Sequence, residues 1–511
     1  MRLHAAVQKM WHELSASERS ELLDCESIDL RGLSLSELPG WFVRLESLQK
    51  LDLSGNRLTA LPESIGALAS LKSLRLSNND LSSLPESLGR LSSLEGVNAG
   101  YNQLPSLPDS FGRLSSLKRL DLSNNTLISL PDSIGSLAAL EVLDLSVNRL
   151  TGLPESLGSL KSLKQLHLSW NHLSELPESI GSLAALKSLR LSNNELPSLP
   201  DSIGSLGELE RLDLRNNLLT GLPESFGSLK SLKSLRLSKN RLTSLPDSIG
   251  ALKSLEALEL RNNLLTTLPE SLGALAALEV LDLRNNLLTT LPESLGALAA
   301  LRRLDLNFNY LSSLPESLGA LESLQWLYLV CNRLTTLPYS LGALKSLEGL
   351  YLHENRLISL PESLGRLESL KRLDLSSNPL ASLPESLGAH PSLRSLKLGG
   401  VRATKALAKL LNAKNEVVKF AVSRVPTIHR FARGWVTARL DVLLSAPQDV
   451  EPDHPLLEMI RKRPDGAHAE YWAWHDSLTR EQRELPRVRG LHDVWVERTS
   501  IDVGDGDRVL L

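Results

Sequence analysis

Residues 255–300 read LEALELRNNLLTTLPESLGALAA and then, without interruption, LEVLDLRNNLLTTLPESLGALAA. The two blocks, 255–277 and 278–300, differ only at Ala257/Val280 and Glu259/Asp282. Such near-identity marks repeat copying, so single-block features there say little about function. The frame they share is already present at Leu48, Leu51, Leu53, Asn56, Leu58, Leu61, Pro62, Ile65, Gly66 and Leu68. Leucines at alternating positions, such as Leu51 and Leu53, specify a short strand that buries one face. One block cannot bury its leucines alone, but stacked blocks form a continuous core and a parallel sheet. Each buried leucine contributes roughly 1.5–3 kcal/mol, so several per block give a large gross stabilisation.

Working outward, Asn recurs every 23 residues from Asn56 through Asn79 and Asn102 to Asn355 and Asn378, fifteen times without an insertion. The frame reaches upstream to Ile28, Leu30 and Leu35, where Leu33 takes the Asn slot, and downstream to Leu396 and Leu398, where Val401 takes it. Strand segments from Ile28 to Leu396 therefore number about seventeen. The Asn ladder reads as structural, because a buried amide needs partners that a neighbouring turn's backbone can supply. The LPxS and Gly elements are expected to set a tight outer bend, with Pro fixing φ and Gly tolerating an unusual φ.

The pattern LxxLxLxxNxLxxLPxxxGxLxx resembles that of leucine-rich repeat proteins over roughly residues 25–400. Its spacing and LPxS(I/L)GxL half are similar to the intracellular Ras-suppressor and plant intracellular Ras-group repeats. The resemblance implies an α/β solenoid, a curved horseshoe with a parallel concave sheet, and membership of a signalling or scaffold complex. The C-terminal segment departs from those families, which do not require it.

The remaining organisation follows from composition. Compact domains stop growing near 250–300 residues, so 511 residues require several domains or an array. Residues 1–24 read as an amphipathic helical cap, with a capping box at Ser15–Glu18 and cap packing by Trp11 and Trp41. Residues 401–511 hold four of the eight Trp (Trp435, Trp472, Trp474, Trp495) and read as a small α+β module. Helices are expected near 403–413, 426–445, 455–463 and 467–485, and strands near 416–422 and 493–503 with a turn at Gly504–Asp507.

Charge and cysteine usage bound the function. Lys plus Arg (56) nearly balance Asp plus Glu (59), and no basic stripe interleaves with stacking residues, so nucleic acid is not expected. No apolar run approaches a membrane span, and the stretch MRLHAAVQKMWHELSASERSE carries no secretion signal or anchor. Two cysteines, Cys25 and Cys331, fit a reducing compartment, and the expected location is the cytoplasm. The pairs Asp453-His454, His475-Asp476 and His492-Asp493 lack metal-ligand or catalytic spacing. No cysteine follows Cys331 and no GxxxxGK[ST] occurs, so neither a thiol ligase nor a GTPase module is present by motif, and no cofactor is expected.

The aromatic residues break the monotony. Phe308, Tyr310, Trp326, Tyr328, Tyr339 and Tyr351 are six of the chain's twenty, whereas residues 48–300 hold four. All but Tyr339 fall at expected concave or ascending-edge positions, and His353 joins Trp326, Tyr328 and Tyr351 as a neighbour. Clustered exposed aromatics mark recognition surfaces; the alternative is an aromatic ladder that stiffens the sheet. A second group, His167, Trp170 and His172, is too poor in ligands for a metal site. The charges from Arg211 through Asp213, Arg236, Glu259, Asp282 and Arg284 to Arg303 and Asp305 read as a salt-bridge lattice. The reading is a non-catalytic scaffold that binds a protein partner on its concave face through Phe308, Tyr310, Trp326, Tyr328, Tyr351 and His353. The alternative is an enzyme or effector whose activity resides in 401–511, with the repeats selecting its substrate.

Overall fold

The computed structural model describes residue 13 and residues 15–401, 414–418, 500–502 and 508–510. The chain divides into two compact units, Met1–Tyr328 with Ser340–Leu347 and Leu329–Tyr339 with Glu348–Leu511. The first unit opens with helix α1 (Ala16–Leu23), inside the expected cap, and continues through fourteen three-residue strands, β1 (Ser27–Asp29) to β14 (Trp326–Tyr328). Each pairs in parallel with the next at a register of one repeat, as in Leu258↔Leu281 and Leu281↔Leu304. In the second unit, β15 (Gly349–Tyr351), β16 (Arg372–Asp374) and β17 (Ser395–Lys397) pair in the same way. Each strand buries its central side chain and the one just beyond it; Leu51, Leu53, Leu281 and Leu283 are at most 1% exposed.

Between strands the chain returns through a single 3-10 turn, such as Glu63–Ala67 or Glu270–Ala274. Pro62 and Pro269, with φ near −70°, precede these turns and hold the chain extended into them. The turn's third residue plugs the core: Ile65, Leu88, Phe111 and Ile134 are all at most 1% exposed. The first such turn, Gly40–Arg44, buries Trp41 against Phe42, with ring centroids 5.0 Å apart. Carboxylates stitch successive turns together. The Ser87 peptide N–H donates to Glu63 (3.0 Å) and that of Ser294 to Glu270 (3.1 Å).

The reason for the turn glycines differs from the expected one. Their φ is not positive; among the described glycines only Gly32, Gly55 and Gly400 have positive φ. Gly66 is required by close approach instead: a Cβ there would lie 2.5 Å from the Ser87 carbonyl oxygen of the next turn. The left-handed backbone sits elsewhere, on the residue before each ladder Asn, with φ of 54–60° at Asn78, Asn124, Val147 and Trp170.

The Asn ladder is architecture, as its spacing implies. Asn171 is 5% exposed, and its amide donates to the carbonyls of Leu145 (2.9 Å) and Leu168 (3.1 Å). Its Oδ1 accepts from the Leu150 N–H (2.9 Å), so one side chain joins two turns. The same three bonds recur at Asn194, where Leu168, Leu191 and Leu173 are the partners.

Beyond residue 401 little is described. Residues 416–418 are helical where a strand is expected; the amide oxygen of Asn415 accepts the Val417 and Val418 N–H groups, which caps and starts the helix. Ser500–Asp502 and Arg508–Leu510 pair antiparallel. The cap residues 1–12 and 14, the expected helices at 403–413, 426–445, 455–463 and 467–485, the strand residues 493–499, the four late Trp and the His–Asp pairs lie outside the described residues.

Candidate functional site

In the first unit the site is built on β14. Leu327 points into the core and is fully buried, so Trp326 and Tyr328 both project from the opposite face of the sheet, each half-buried. The parallel register sets Arg303 beside Trp326 and Asp305 beside Tyr328. Arg303 reaches diagonally, with its guanidinium carbon 5.0 Å from the Tyr328 ring centroid, a cation–π geometry. The same guanidinium lies 3.7 Å from the Asp305 carboxylate, an ion pair too long for a hydrogen bond. β14 therefore presents two aromatic faces with a cation held across one of them.

The turns before β14 carry buried charged side chains. Asp305 is 1% exposed and Arg284 5%, and Arg284 sits 3.6 Å from Asp282. The Asn307 N–H donates to Asp305 Oδ1 at 3.1 Å. Burial, with Asp282 in the adjacent strand adding to it, pushes the Asp305 carboxyl up to about 6, against the pull of Arg284 and Arg303. Burial likewise raises Glu259, against the pull of Arg236 at 3.2 Å. The expected lattice of paired charges is present at Arg215–Asp213 (2.8 Å) and at these pairs. Sequence reasoning counted Asp305 as one more solvated charge; the strand register alone gives no sign that it is buried.

Asp305 carries a pH dependence. The ordinary aspartate value is 3.8, so the folded state holds this proton up to about pH 6 while the unfolded chain releases it near 4. Below about pH 4 both states are protonated and the site costs nothing; through pH 4–6 the fold loses stability, and above 6 the full cost stands. Asp305→Asn is expected to raise unfolding stability at pH 8 by about 2–3 kcal/mol, shrinking to nothing near pH 4. Denaturation at the two pH values measures it, and a gain equal at both would contradict the buried-carboxyl account.

The flanking aromatics are not equivalent. Phe308 has φ 55° and is 4% exposed, so it is covered and offers no surface anchor. Tyr310 is half-buried, and its N–H donates to the Leu288 carbonyl at 2.9 Å. In the second unit, Tyr351 projects from β15 beside Asp374 of β16. His353 Nδ1 stands 3.7 Å from Asp374, which also meets Lys397 at 3.4 Å. Tyr339 is 55% exposed with the Arg366 guanidinium 5.5 Å from its ring centroid. Cys331 is buried and its thiol points at Glu354 Oε2 (3.0 Å); burial first, then that carboxylate, pushes the thiol well above its ordinary value, so it is not a ready nucleophile.

In the weaker group, His167 pairs with Asp144 (3.3 Å) and His172 with Glu195 (2.9 Å), while Trp170 is 61% exposed. Among the described residues no three His, Cys, Asp or Glu side chains gather as metal ligands, and no helix is long and apolar enough to cross a membrane.

Comparison with known proteins follows the same residues. A family model described as "Leucine-rich repeat region" matches residues 106–191, 174–263 and 293–414, and one described as "Leucine rich repeat" matches 26–81, 47–104, 69–127 and 253–311. Among solved structures, a leucine-rich repeat protein of Leptospira interrogans is 38% identical over 73% of this chain and 95% of its own, with a TM-score of 0.64. The plant peptide hormone receptor RGFR1, in complex with RGF2, is 31% identical over 75% of this chain and 68% of its own, with a TM-score of 0.62. The Arabidopsis receptor kinase HAESA, in complex with the peptide hormone IDA and the co-receptor SERK1, is 30% identical over 78% of this chain and 79% of its own, with a TM-score of 0.54. No curated protein gives a match.

Proposed function

Given that this chain belongs to the leucine-rich repeat family, we propose that it is a non-catalytic recognition scaffold for a protein partner, which it grips on the sheet face turned away from the leucine core. One observation carries the reading: Trp326 and Tyr328 stand side by side on that face, with Arg303 stacked on the tyrosine. Aromatic side chains and Arg are the residues that dominate binding energy at protein interfaces. The sheet fixes their backbone in advance, so little entropy is lost on binding. Two similar structures were solved with peptide ligands, RGFR1 with RGF2 and HAESA with IDA, which supports a peptide or protein as the ligand class here. Tyr310 belongs to the same surface in the first unit, and Tyr351 on β15 and His353 just beyond it supply a second patch.

The same proposal extends to an intracellular signalling role. It rests on two free cysteines, one of them buried, which suit a reducing compartment.

The test is a paired substitution, Trp326→Ala with Tyr328→Ala, in the full chain. Partner recovery by affinity capture is expected to fall by roughly tenfold or more, since two interface anchors are removed. The unfolding midpoint should barely move, because neither side chain enters the core. Unchanged recovery by the folded double variant would remove the anchor from the proposal.

A further inference from the structure

One column of the array lies outside the strand face. In each turn the residue before the ladder Asn has left-handed φ, and in six turns it is itself Asn: Asn78, Asn124, Asn193, Asn216, Asn262 and Asn285. Asn suits that conformation because its short side chain bonds locally and its steric cost is small. Three turns depart from this choice within a short span, with Tyr101 at φ 55°, Val147 at 56° and Trp170 at 60°. A β-branched or bulky residue is a true outlier there, and such strain persists only where something compensates it.

Phe308 shows one form of compensation. It occupies the same column at φ 55° but is 4% exposed, so packing repays its conformation. Tyr101, Val147 and Trp170 have no such return, being 57%, 43% and 61% exposed. Ile128, in the turn between Tyr101 and Val147, is 56% exposed, so four of the nine exposed large apolar side chains among the described residues fall between 101 and 170. Large apolar groups held in a strained backbone and turned to solvent are an unfilled contact surface.

Its spacing and charge select the occupant. Successive turns are about 4.8 Å apart along the ladder, so Val147 and Trp170 lie roughly 10 and 14 Å from Tyr101. A helix laid along the rim rises about 1.5 Å per residue and brings side chains i, i+7 and i+10 of one face to about 0, 10.5 and 15 Å. An extended chain at about 3.3 Å per residue would turn residue i+3, the one at about 10 Å, away from the surface. Beside this row Arg149 is exposed and has no ion-pair partner among the described residues, while His172 is already engaged by Glu195. A single unpaired guanidinium at the edge of an apolar row matches an acidic group beside an apolar stripe. We propose that the rim formed by Tyr101, Val147 and Trp170 docks an amphipathic helix of a partner protein, acidic along the edge of its apolar face. This surface is separate from the β14 face, and either can fail without the other.

The test uses the full chain with Val147→Asn and Trp170→Asn, which restore the residue that six other turns carry. The probe is a fluorescent stapled synthetic helix with leucines at i, i+7 and i+10 and glutamates beside them, and the control peptide has the same composition scrambled. Anisotropy is expected to show binding of the patterned helix by the native chain and roughly tenfold or more weaker binding by the double variant. The unfolding midpoint of that variant should rise, because Asn relieves the backbone. Loss of binding with a gain in stability is a combination that a structural role for these side chains does not give. Four results would overturn the proposal: a lowered midpoint in the variant, equal affinity for the two peptides, self-association of the native chain that the substitutions abolish, or binding to phosphatidylcholine vesicles in place of the helix.

Discussion

Asn171→Leu is expected to destabilise the protein by about 2–4 kcal/mol. The replacement is similar in size, so the loss is one of partners. The Leu150 N–H loses its acceptor, and the Leu145 and Leu168 carbonyls each lose one of two amide donors, keeping those of Asn148 and Asn194. Each buried backbone group left unpaired costs about 1–3 kcal/mol, because the water it gave up on folding is not restored. Asn171→Asp is a sharper version: it keeps the acceptor but aims a carboxylate at two carbonyl oxygens, so its cost should be larger at pH 7 than at pH 4. In an array stability is shared between neighbouring turns, and the lesion should also split unfolding into separate steps on either side of residue 171. Denaturant unfolding followed by circular dichroism measures both effects. A single transition within about 1 kcal/mol of the native one would mean that the ladder carries no such weight.

The second large effect is expected at Gly273. A Cβ added there would stand 2.2 Å from the Ser294 carbonyl oxygen, 2.7 Å from its Cβ and 2.8 Å from its carbonyl carbon. Two of these three atoms are backbone, in a turn whose own glycine, Gly296, is as tightly placed against Ser317. Relief by a local shift would pass the same clash along the stack. Gly273→Val should therefore cost about 3 kcal/mol or more, at the upper end of overpacking penalties. Gly207→Ala is the control, since a Cβ there meets nothing within 4 Å and φ is ordinary. It should be neutral or stabilising by about 0.4–1 kcal/mol through the unfolded chain's lost freedom. Equal effects at the two glycines would show that close stacking does not decide the residue at 273.

The repeat array was legible. Leucine alternation, the Asn interval and the Pro-Gly return repeat without an insertion, and a fixed period converts every local preference into a stacked one. The candidate site was legible only as a location. Trp326 and Tyr328 break a leucine-and-polar frame, and strand alternation alone puts both on one face. The same reading gave Phe308 equal standing, although the structure buries it. It also missed Arg303 and Asp305 as parts of the site, because their registers match those of charged residues that stay half-exposed in other turns.

The sequence alone, then, determined the repeat, its strand register and the ladder of amides, because these follow from periods and hydrogen-bonding capacity that each turn carries within itself. Tertiary structure decided the rest. It showed that the turn glycines answer to the carbonyl of the next turn and not to φ. It placed the left-handed backbone on Tyr101, Val147 and Trp170, and it sealed Asp305 from water while leaving Trp170 in it. Those properties depend on how closely one turn approaches another and on what solvent can reach. Neither distance nor access is a property of a residue or its spacing, and both exist only once the turns are stacked.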